Sequence, residues 1–312
     1  MRPELFSALG VAFPSYFVLL ITGFTFATAV AVLWARRIGQ DPDTLVDLSL
    51  AMLLSGVAGA RVMHVFFDGH FMDYVHLCTD PRLVDWHVSK ARCLSREYGG
   101  VWDAAASVCH PSHTDCFAWA RFWAGGLTYF GGFIGATAIA IPLLRRDKFP
   151  LWKAADIAGA AVPTGLAFGR VGCLLAGCCF GAPTDLPWGM RFPDGSPADD
   201  ALRRAAAPNL PAELHVHPTQ VYESLASLAV AAACVFLVAP RKRYDGQVMV
   251  FFLVAYSVLR FIIEVWRRDD RGGYAWLSTS QIVGAGLIAV AVLVHLRRRP
   301  RSGPLDADAK LA

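Results

Sequence analysis

The chain has 312 residues, of which 55% are hydrophobic and only 17% are charged, and its mean hydropathy is +0.42. A soluble protein of this size carries about 25% charged residues. The composition therefore excludes an ordinary soluble domain and predicts an integral membrane protein. The net charge of +4 is too small to indicate a nucleic-acid partner.

Seven stretches are long and apolar enough to cross a bilayer, which takes about 20 residues of helix. They predict an all-α polytopic membrane protein with seven transmembrane helices, near residues 14–35, 44–67, 125–145, 154–180, 217–239, 247–266 and 278–296. The first ten residues contain an acid and a proline, so we expect the start of the first helix there and not a cleaved signal peptide. The membrane domain takes residues 1–299, and 300–312 are predicted to be a disordered tail.

Lysine and arginine residues are unevenly divided between the two sides of these helices. The short connections after the first, third and fifth helices, together with the tail, carry 14 of them, whereas the other side carries 12 in roughly three times as many positions. Basic residues concentrate in cytoplasmic loops. The N-terminus is therefore predicted to be periplasmic and the C-terminus cytoplasmic, in a bacterial inner membrane.

Charged residues within the predicted spans are candidates for function because burying them in lipid is costly. They are Asp47, Arg61, Asp156, Arg170, Glu223, Arg260 and Glu264. The predicted topology puts most of them in the outer third of the membrane, along with Arg267 and a run from His217 to Glu223. Three arginines near one place need an anion, and a guanidinium suits a phosphate. The alternative is that arginine–carboxylate pairs only hold helices together.

Several motifs in this order resemble the prolipoprotein diacylglyceryl transferase family. The motifs are Gly59-Ala60-Arg61, the glycine pairs Gly125-Gly126 and Gly131-Gly132, Gly169-Arg170-Val171-Gly172, the run His217-Pro218-Thr219-Gln220-Val221-Tyr222-Glu223, Arg260 with Glu264 and Arg267, and Ser278-Thr279-Ser280-Gln281. The resemblance covers most of the chain outside 70–118 and the tail.

The resemblance implies a transferase that moves the diacylglyceryl group of phosphatidylglycerol to the lipobox cysteine thiol of an exported prolipoprotein. A thioether forms and glycerol phosphate leaves, with no cofactor and no metal. Arginines would stabilise the charge that develops on the leaving phosphate. The active site would face the periplasm.

The resemblance also implies roles for particular residues. Arg170 and Arg260 would hold the lipid headgroup, with Glu264 and Arg267 supporting Arg260. The expected catalytic residues are Arg170, Arg260, Glu264, Tyr129 and His217, and the expected substrate contacts are Arg61, Tyr16, Gly131, Gly132, Gln220, Glu223 and Arg267.

The sequence departs from the family pattern at the site. The family motif continues Gly-Arg-x-Gly-Asn-Phe-x-Asn-x-Glu, but Cys173, Ala176 and Cys178 stand where that pattern has its two amides and its acid. Phe130 stands where the family often has the histidine thought to act as base. The candidates that remain for the base are His217, Tyr129, Glu223 and Cys178, and the residues do not choose among them.

Four of the eight cysteines lie in the insert 68–124: Cys78, Cys93, Cys109 and Cys116. An even set in an oxidising compartment predicts two disulfides, with three possible pairings. Zinc is the alternative, because His87, His110 and His113 lie in the same segment, although no close Cys-x-x-Cys pair supports it.

Cys173, Cys178 and Cys179 lie within the family motif. They are compatible with simple packing, with a disulfide or with redox chemistry, whereas Cys234 in mid-span is expected to pack. Two alternatives to the transferase follow: a lipid- or peptide-binding paralogue without catalysis, and a membrane thiol oxidoreductase that uses these three cysteines.

Overall fold

A computed structural model describes residues 4–8, 11–94, 98–122, 126–193, 199, 215–267, 273–274 and 277–299. The predicted tail 300–312 and Gly125 lie outside these residues. The chain is mostly helical. The long helices are α1 (Ser15–Arg37), α2 (Pro42–Phe66), α5 (Tyr129–Arg146), α6 (Leu151–Ala176), α7 (Thr219–Ala232), α8 (Gln247–Glu264) and α9 (Thr279–Arg298), and the short helices α3 (Phe71–Thr79) and α4 (Lys90–Cys93) lie between α2 and α5.

Helices occupy all seven regions predicted to span the membrane. Six of them are long and apolar enough to do so, if α7 is taken together with its continuation to Arg241. The remaining helix, α5, has 18 residues, contains Pro142 and ends on Arg145 and Arg146. The described residues thus form a polytopic membrane protein with six candidate spans, and the crossing of α5 stays a prediction.

Local sequence explains where these helices begin and end. Asp41 caps α2 by accepting from the backbone N–H groups of Asp43 and Thr44, with Pro42 at the first position of the helix. Ser278 and Gln281 form a capping box at the start of α9. After α7 the chain continues through a π-helical turn, Ala233–Val238, and a 3-10 turn, Ala239–Arg241.

The first residues are not part of α1, and that prediction was wrong. Strands β1 (Glu4–Ala8) and β2 (Val11–Pro14) form an antiparallel hairpin that leads into α1. Two further hairpins pair β3 (Val101–Asp103) with β4 (Val108–His110) and β5 (Gly273–Tyr274) with β6 (Leu277–Ser278). Pro14 is the N-cap of α1, with ψ +133°, and it disfavours helical geometry in Phe13, the residue before it, so the helix begins only at Ser15.

Helix α6 lies at the centre of the bundle and packs against α1, α7 and α8, while α5 packs along α2 and α9 along α8. Half of the most apolar window of α6 is buried, more than in any other candidate span. The main apolar core gathers at the end of the bundle where α6 and α8 begin and α1 ends, around Trp34, Leu144, Ile157, Val248 and Phe252. The opposite end is where the functional residues lie.

One buried charge, Asp156, belongs to this core end. Its Oδ2 accepts from Lys242 Nζ at 2.8 Å and its Oδ1 accepts from the backbone N–H of Val248 at 2.8 Å. Lys242 also bonds Asp245 Oδ1 at 2.7 Å. We call these three charged residues the Asp156 cluster. It joins the start of α6 to the loop before α8 and the first turn of that helix.

The insert between α2 and α5 contains α3, α4 and the hairpin of β3 and β4. The structure pairs Cys78 with Cys116 and Cys93 with Cys109, which leaves none of these sulfurs as a zinc ligand. Arg61, near the end of α2, contacts the end of the insert.

Candidate active site

The candidate site is built around one buried carboxylate, Glu223, in the first turns of α7. Its side chain is 1% exposed. Arg170 Nη2 lies 2.9 Å from Oε1, and Tyr256 donates its hydroxyl to the same oxygen at 2.8 Å. Arg260 Nη1 and Arg267 Nη1 lie 3.7 and 3.8 Å from Oε2. Three helices and the segment just after α8 therefore bring three cations to a single acid.

A second acid, Glu264, joins through Arg260. Arg260 Nη2 donates to Glu264 Oε2 at 2.9 Å, one helical turn away, and to Ser280 Oγ at 2.9 Å. We call Glu223, Glu264, Arg170, Arg260 and Arg267 the Glu223 cluster. It holds three guanidinium groups and two carboxylates, so its formal charge is positive. A buried positive charge at membrane depth is stabilised when an anion binds beside it.

Two atoms of the cluster are left without hydrogen bonds. Among the described residues, neither Arg260 Nη1 nor Glu223 Oε2 has a hydrogen-bond partner, although both are buried. The 3.7 Å between them is too long for a hydrogen bond. Leaving a buried charged donor unpaired costs about 1–3 kcal/mol or more. An anionic oxygen placed at Arg260 would satisfy this donor.

A cavity of about 830 Å³ opens beside the cluster. Arg170, Arg260, Tyr256 and Ser280 line its polar end. The rest of its wall is mainly apolar, and it reaches Leu45, Leu48 and Ile157 at the core end of the bundle. A chamber with cations at one end and a long apolar body matches a phospholipid headgroup with its acyl chains.

Three aromatic side chains stand at the same cavity. Tyr16 lies in the first turn of α1 and packs against α6 at Gly172, where an added Cβ would lie 3.2 Å from the Tyr16 ring. Tyr129 and Phe130 begin α5 and line the wall, with Tyr129 73% exposed. Tyr16 and Tyr129 are thus where a lipid or a second substrate can reach them.

Other predicted site residues hold backbone in place and are not among those that line the cavity. Gln220 Nε2 donates to the carbonyl of Cys178 at 2.7 Å, and Thr219 Oγ1 donates to that of Cys179 at 2.8 Å. His217 is buried, with Nδ1 3.3 Å from Tyr222 Oη. Gln220 therefore supports the segment that follows α6, and the substrate and catalytic contacts expected of Gln220 and His217 stay predictions.

Arg61 was expected beside the other arginines of the site, but it lies apart from them. Its Nε and Nη2 donate to the carbonyls of Trp119 and Ala118, both at 2.6 Å, and its Nη1 donates to that of Gly126 at 3.0 Å. The guanidinium also lies over the Tyr74 ring, 5.1 Å from its centroid. Arg61 thus ties the insert to α2, and the third arginine of the site is Arg267.

Gly131 and Gly132 pack against α2, and the substrate contact expected of them stays a prediction. Both face α2: an added Cβ on Gly131 would collide with the Gly59 carbonyl, and one on Gly132 would lie 3.4 Å from the Gly56 carbonyl. Neither is among the residues that line the cavity. These glycines allow α2 and α5 to approach closely.

Cys173, Cys178 and Cys179 meet at the end of α6. Their sulfur atoms all lie within 4.8 Å of one another, close enough to be ligands of one metal ion. Cys173 is buried and lines the cavity, and the other two are partly exposed. The sequence could not show whether these thiols meet, because the answer depends on how the chain turns after α6.

Two site residues were missed by the sequence analysis, Tyr256 and Ser280. Tyr256 is four residues before Arg260 on α8, so helical spacing alone puts it on the same face. Ser280 lies in the motif Ser278-Thr279-Ser280-Gln281, to which the sequence alone assigns no role.

The fold and the site define a class of protein: a polytopic membrane protein with an internal cavity that is cationic at one end and apolar along its length. Comparison with known proteins agrees with this class of membrane protein. The family described as prolipoprotein diacylglyceryl transferase matches residues 3–297. Among curated relatives, the phosphatidylglycerol–prolipoprotein diacylglyceryl transferase of Clostridium tetani is 23% identical over 294 residues, which is 94% of this chain and 96% of that protein.

Two further relatives carry the same description. One, phosphatidylglycerol–prolipoprotein diacylglyceryl transferase 2 of Clostridium perfringens, is 26% identical over 95% of this chain and 94% of its own length. The enzyme of Solidesulfovibrio magneticus is 34% identical over 58% of this chain and 64% of its own. The chain belongs to the prolipoprotein diacylglyceryl transferase family and is a transferase of lipoprotein biosynthesis.

Proposed function

We propose that this chain transfers the diacylglyceryl group of phosphatidylglycerol to the lipobox cysteine thiol of exported prolipoproteins. The observation that carries the proposal is the Glu223 cluster at the polar end of an apolar cavity of about 830 Å³. The relatives named above are described by this activity. The geometry supports the same two substrates.

The arginines bind the phosphate of the lipid. Arg170 and Arg260 both line the cavity, and buried Arg260 Nη1 has no hydrogen-bond partner among the described residues. Glu223, Glu264 and Ser280 fix the directions of the two guanidinium groups. In the reaction the bond between the glyceryl carbon and the phosphate oxygen breaks, and these donors stabilise the negative charge on the leaving phosphate ester.

The apolar part of the cavity receives acyl chains. Leu20, Phe24, Leu48, Met52 and Leu166 are among the residues that line it. Burial of apolar surface gives about 25 cal/mol per Å². Binding energy from the chains thus holds the reacting carbon near the arginines, where it contributes to orientation.

Glu223 is a poor choice as the base that takes the thiol proton, because three arginines and the Tyr256 hydroxyl surround it. Glu223 instead acts as a counter-ion that holds the guanidinium groups beside the cavity. Tyr129 remains a candidate to contact the thiol, since it lines the cavity and is largely exposed.

The proposal includes a placement in the bacterial inner membrane. Seven crossings would put the ends rich in lysine and arginine, such as Arg36, Arg145 and Arg297, in the cytoplasm and the Glu223 cluster near the periplasmic surface. The two insert disulfides would then lie in an oxidising compartment, which suits them.

The test is direct. Purified protein in detergent is given phosphatidylglycerol and a lipobox peptide, and the mass of the peptide is followed. We expect a gain equal to one diacylglyceryl group. A peptide with serine in place of the lipobox cysteine, and phosphatidylethanolamine as the lipid, are the matched controls and should give no adduct. Absence of any adduct in every lipid composition would overturn the proposal and favour the binding paralogue.

A further inference from the structure

The three thiols at the end of α6 are not explained by the arginine chemistry. Cys173 lies in the last turn of α6, and Cys178 and Cys179 follow the helix. The chain turns back at Gly177, which has φ +77°, and the N–H of Cys178 donates to the carbonyl of Cys173 at 3.1 Å. This is the Schellman pattern of helix ends. It places residue 178 back over residue 173.

Side chains from α7 hold this turn from the other side. Gln220 and Thr219 donate to the carbonyls of Cys178 and Cys179. Cys179 itself has φ +65°, a left-handed conformation that costs a residue with a Cβ about 1 kcal/mol or more. Such strain is kept when the surrounding structure over-determines it, and it is common at functional sites. The conformation of this turn is therefore fixed by its neighbours. It brings the three sulfur atoms within 4.8 Å of one another.

We infer that Cys173, Cys178 and Cys179 bind one zinc ion and that the fourth position of this ion accepts the thiol of the incoming peptide. Thiolates prefer soft metals such as zinc. With Zn–S bonds of about 2.3 Å, tetrahedral ligands stand about 3.8 Å apart. The sulfurs are at most 4.8 Å apart, so binding the ion needs an approach of no more than about 1 Å.

The number of ligands points to a reactive ion. Among the described residues, the group contains no fourth cysteine, histidine or carboxylate. Structural zinc sites use four protein ligands, whereas catalytic sites use three and leave one position open. Cys173 lines the same cavity as Arg170, one turn earlier on α6. An open position here lies at the cavity in which the lipid would react.

Zinc would supply the thiolate that the reaction needs. This part of the inference rests on the proposed transfer to a cysteine thiol. That reaction needs a thiolate, and Phe130, which lines the cavity beside Tyr129, has no group that can take a proton. A thiol that binds zinc is deprotonated, so its proton passes to water. The sulfur then attacks the glyceryl carbon with its electron pair, the C–S bond forms, and the C–O bond to phosphate breaks.

Charge balance fits this arrangement. Zinc with three thiolates carries a net charge of −1, and a fourth thiolate makes it −2. Arg170 on the same helix provides a compensating cation, and its own acid, Glu223, is shared with Arg260 and Arg267. A cationic cluster beside an anionic metal site also keeps the phosphate and the thiolate close together.

The first experiment measures the metal. Full-length protein purified in detergent with a non-thiol reductant is incubated with equimolar zinc, desalted and analysed by mass spectrometry for metals. We expect about one zinc per chain, and none in the triple variant C173S/C178S/C179S. Cys234→Ala, which removes a buried thiol elsewhere, should keep the full zinc content. Melting temperatures confirm that each variant is folded. Zinc-free wild type, or a triple variant with equal zinc, would overturn the inference.

Counting free thiols tests the alternative that two of the three cysteines form a disulfide. If two of these three cysteines resist alkylation until they are reduced in protein isolated without reductant, and the reduced protein takes up no zinc, the cluster is a disulfide pair and the inference is wrong. Three alkylatable thiols that zinc protects would support it.

The second experiment tests the open position. Cobalt in place of zinc gives absorption bands that report on thiolate ligands. Adding the lipobox peptide should shift these bands, and the peptide with serine should leave them unchanged. An unchanged spectrum with the cysteine peptide would refute the role of the fourth position.

The two proposals fail in different ways. Removing the metal with a chelator should lower transfer at least tenfold, and zinc should restore it. Full transfer by metal-free protein would overturn the zinc inference and leave the proposed function standing. Zinc binding without transfer in any lipid composition would overturn the proposed function and leave the zinc site standing.

Discussion

Two groups of charges, each around a buried carboxylate, lie at opposite ends of the bundle, and their hydrogen bonding differs. Asp156 and Arg170 are 14 residues apart on α6, about 21 Å along the axis. Both oxygens of Asp156 accept a hydrogen bond, one from Lys242 and one from the backbone of Val248. In the Glu223 cluster, Arg260 Nη1 and Glu223 Oε2 are buried, and neither has a hydrogen-bond partner within the described part of the chain.

The difference separates a structural role from a functional one. Buried charges are stable when their hydrogen-bonding groups are satisfied, so the Asp156 cluster is complete and needs nothing further. The Glu223 cluster has an excess of positive charge, an unsatisfied donor and a cavity beside it. We therefore expect changes in the first cluster to reduce stability, and changes in the second to reduce activity.

The largest expected effect is on catalysis. Arg170→Ala and Arg260→Ala should each lower the rate of transfer to the lipobox peptide by about 10²- to 10³-fold, as for loss of one donor to a developing anion. The melting temperature should change little by comparison, because the cluster has one excess positive charge and either variant keeps two guanidinium groups and the Tyr256 hydroxyl around Glu223. Lysine at either position keeps the charge but loses the guanidinium fork, so partial activity is expected. Arg146→Ala, exposed at the end of α5, is the matched control. Normal turnover in both alanine variants would remove the phosphate role.

The next effect is on stability. Lys242→Met leaves the Asp156 carboxylate buried beside only the Val248 N–H, and breaking a buried pair in this way costs about 3 kcal/mol or more. Thermal unfolding in detergent should show a clear drop, whereas the transfer rate per folded molecule should stay within about twofold. A large loss of activity in a stable variant would contradict the division between the two clusters.

The insert provides a third comparison, because its cross-links are far from both clusters in sequence. The 16-residue separation of Cys93 and Cys109 predicts a loss of about 3 kcal/mol when the bond is removed. In C93S/C109S we expect faster proteolysis between residues 90 and 110. Removal of Cys78 and Cys116 should loosen the connection to α5 in the same way. Four thiols that alkylate freely in the native protein would show that the disulfides do not form.

Much of the site was predictable because charge within the membrane is costly. Arg170, Glu223, Arg260 and Glu264 stand out in apolar stretches, and the structure brings them together. Arg61 stands out equally, but its partners are the carbonyls of Trp119, Ala118 and Gly126 in and after the insert. Backbone partners leave no pattern in a sequence, so its place could not be found that way.

Asp156 illustrates the same limit for side chains. Lys242, which donates a hydrogen bond to Asp156, is 86 residues away in the sequence. Its loop is rich in basic residues, which indicate the side of the membrane but not a partner. The hairpin of β1 and β2 was missed because apolar residues before a span predict a longer helix equally well. The helices themselves were predictable in position, since their apolar periods are long and polar connections separate them.

The smallest expected effect concerns Asp245, the exposed member of the Asp156 cluster. The hydrogen bond from the Lys242 ammonium lowers the pKa of Asp245 below its usual value of 3.8. A carboxyl group with a depressed pKa in the folded state stabilises the fold above its unfolded pKa, and the stabilisation is lost as the pH falls through the folded pKa. Because the side chain is 38% exposed, solvent screening keeps this contribution below about 1 kcal/mol. Asp245→Asn should therefore lower the melting temperature slightly at pH 6, and the difference from wild type should vanish as the pH falls below 3.8 and through the depressed folded pKa of Asp245. A difference that stays constant over this range would show that the ion pair contributes nothing and that Asp156 alone holds Lys242.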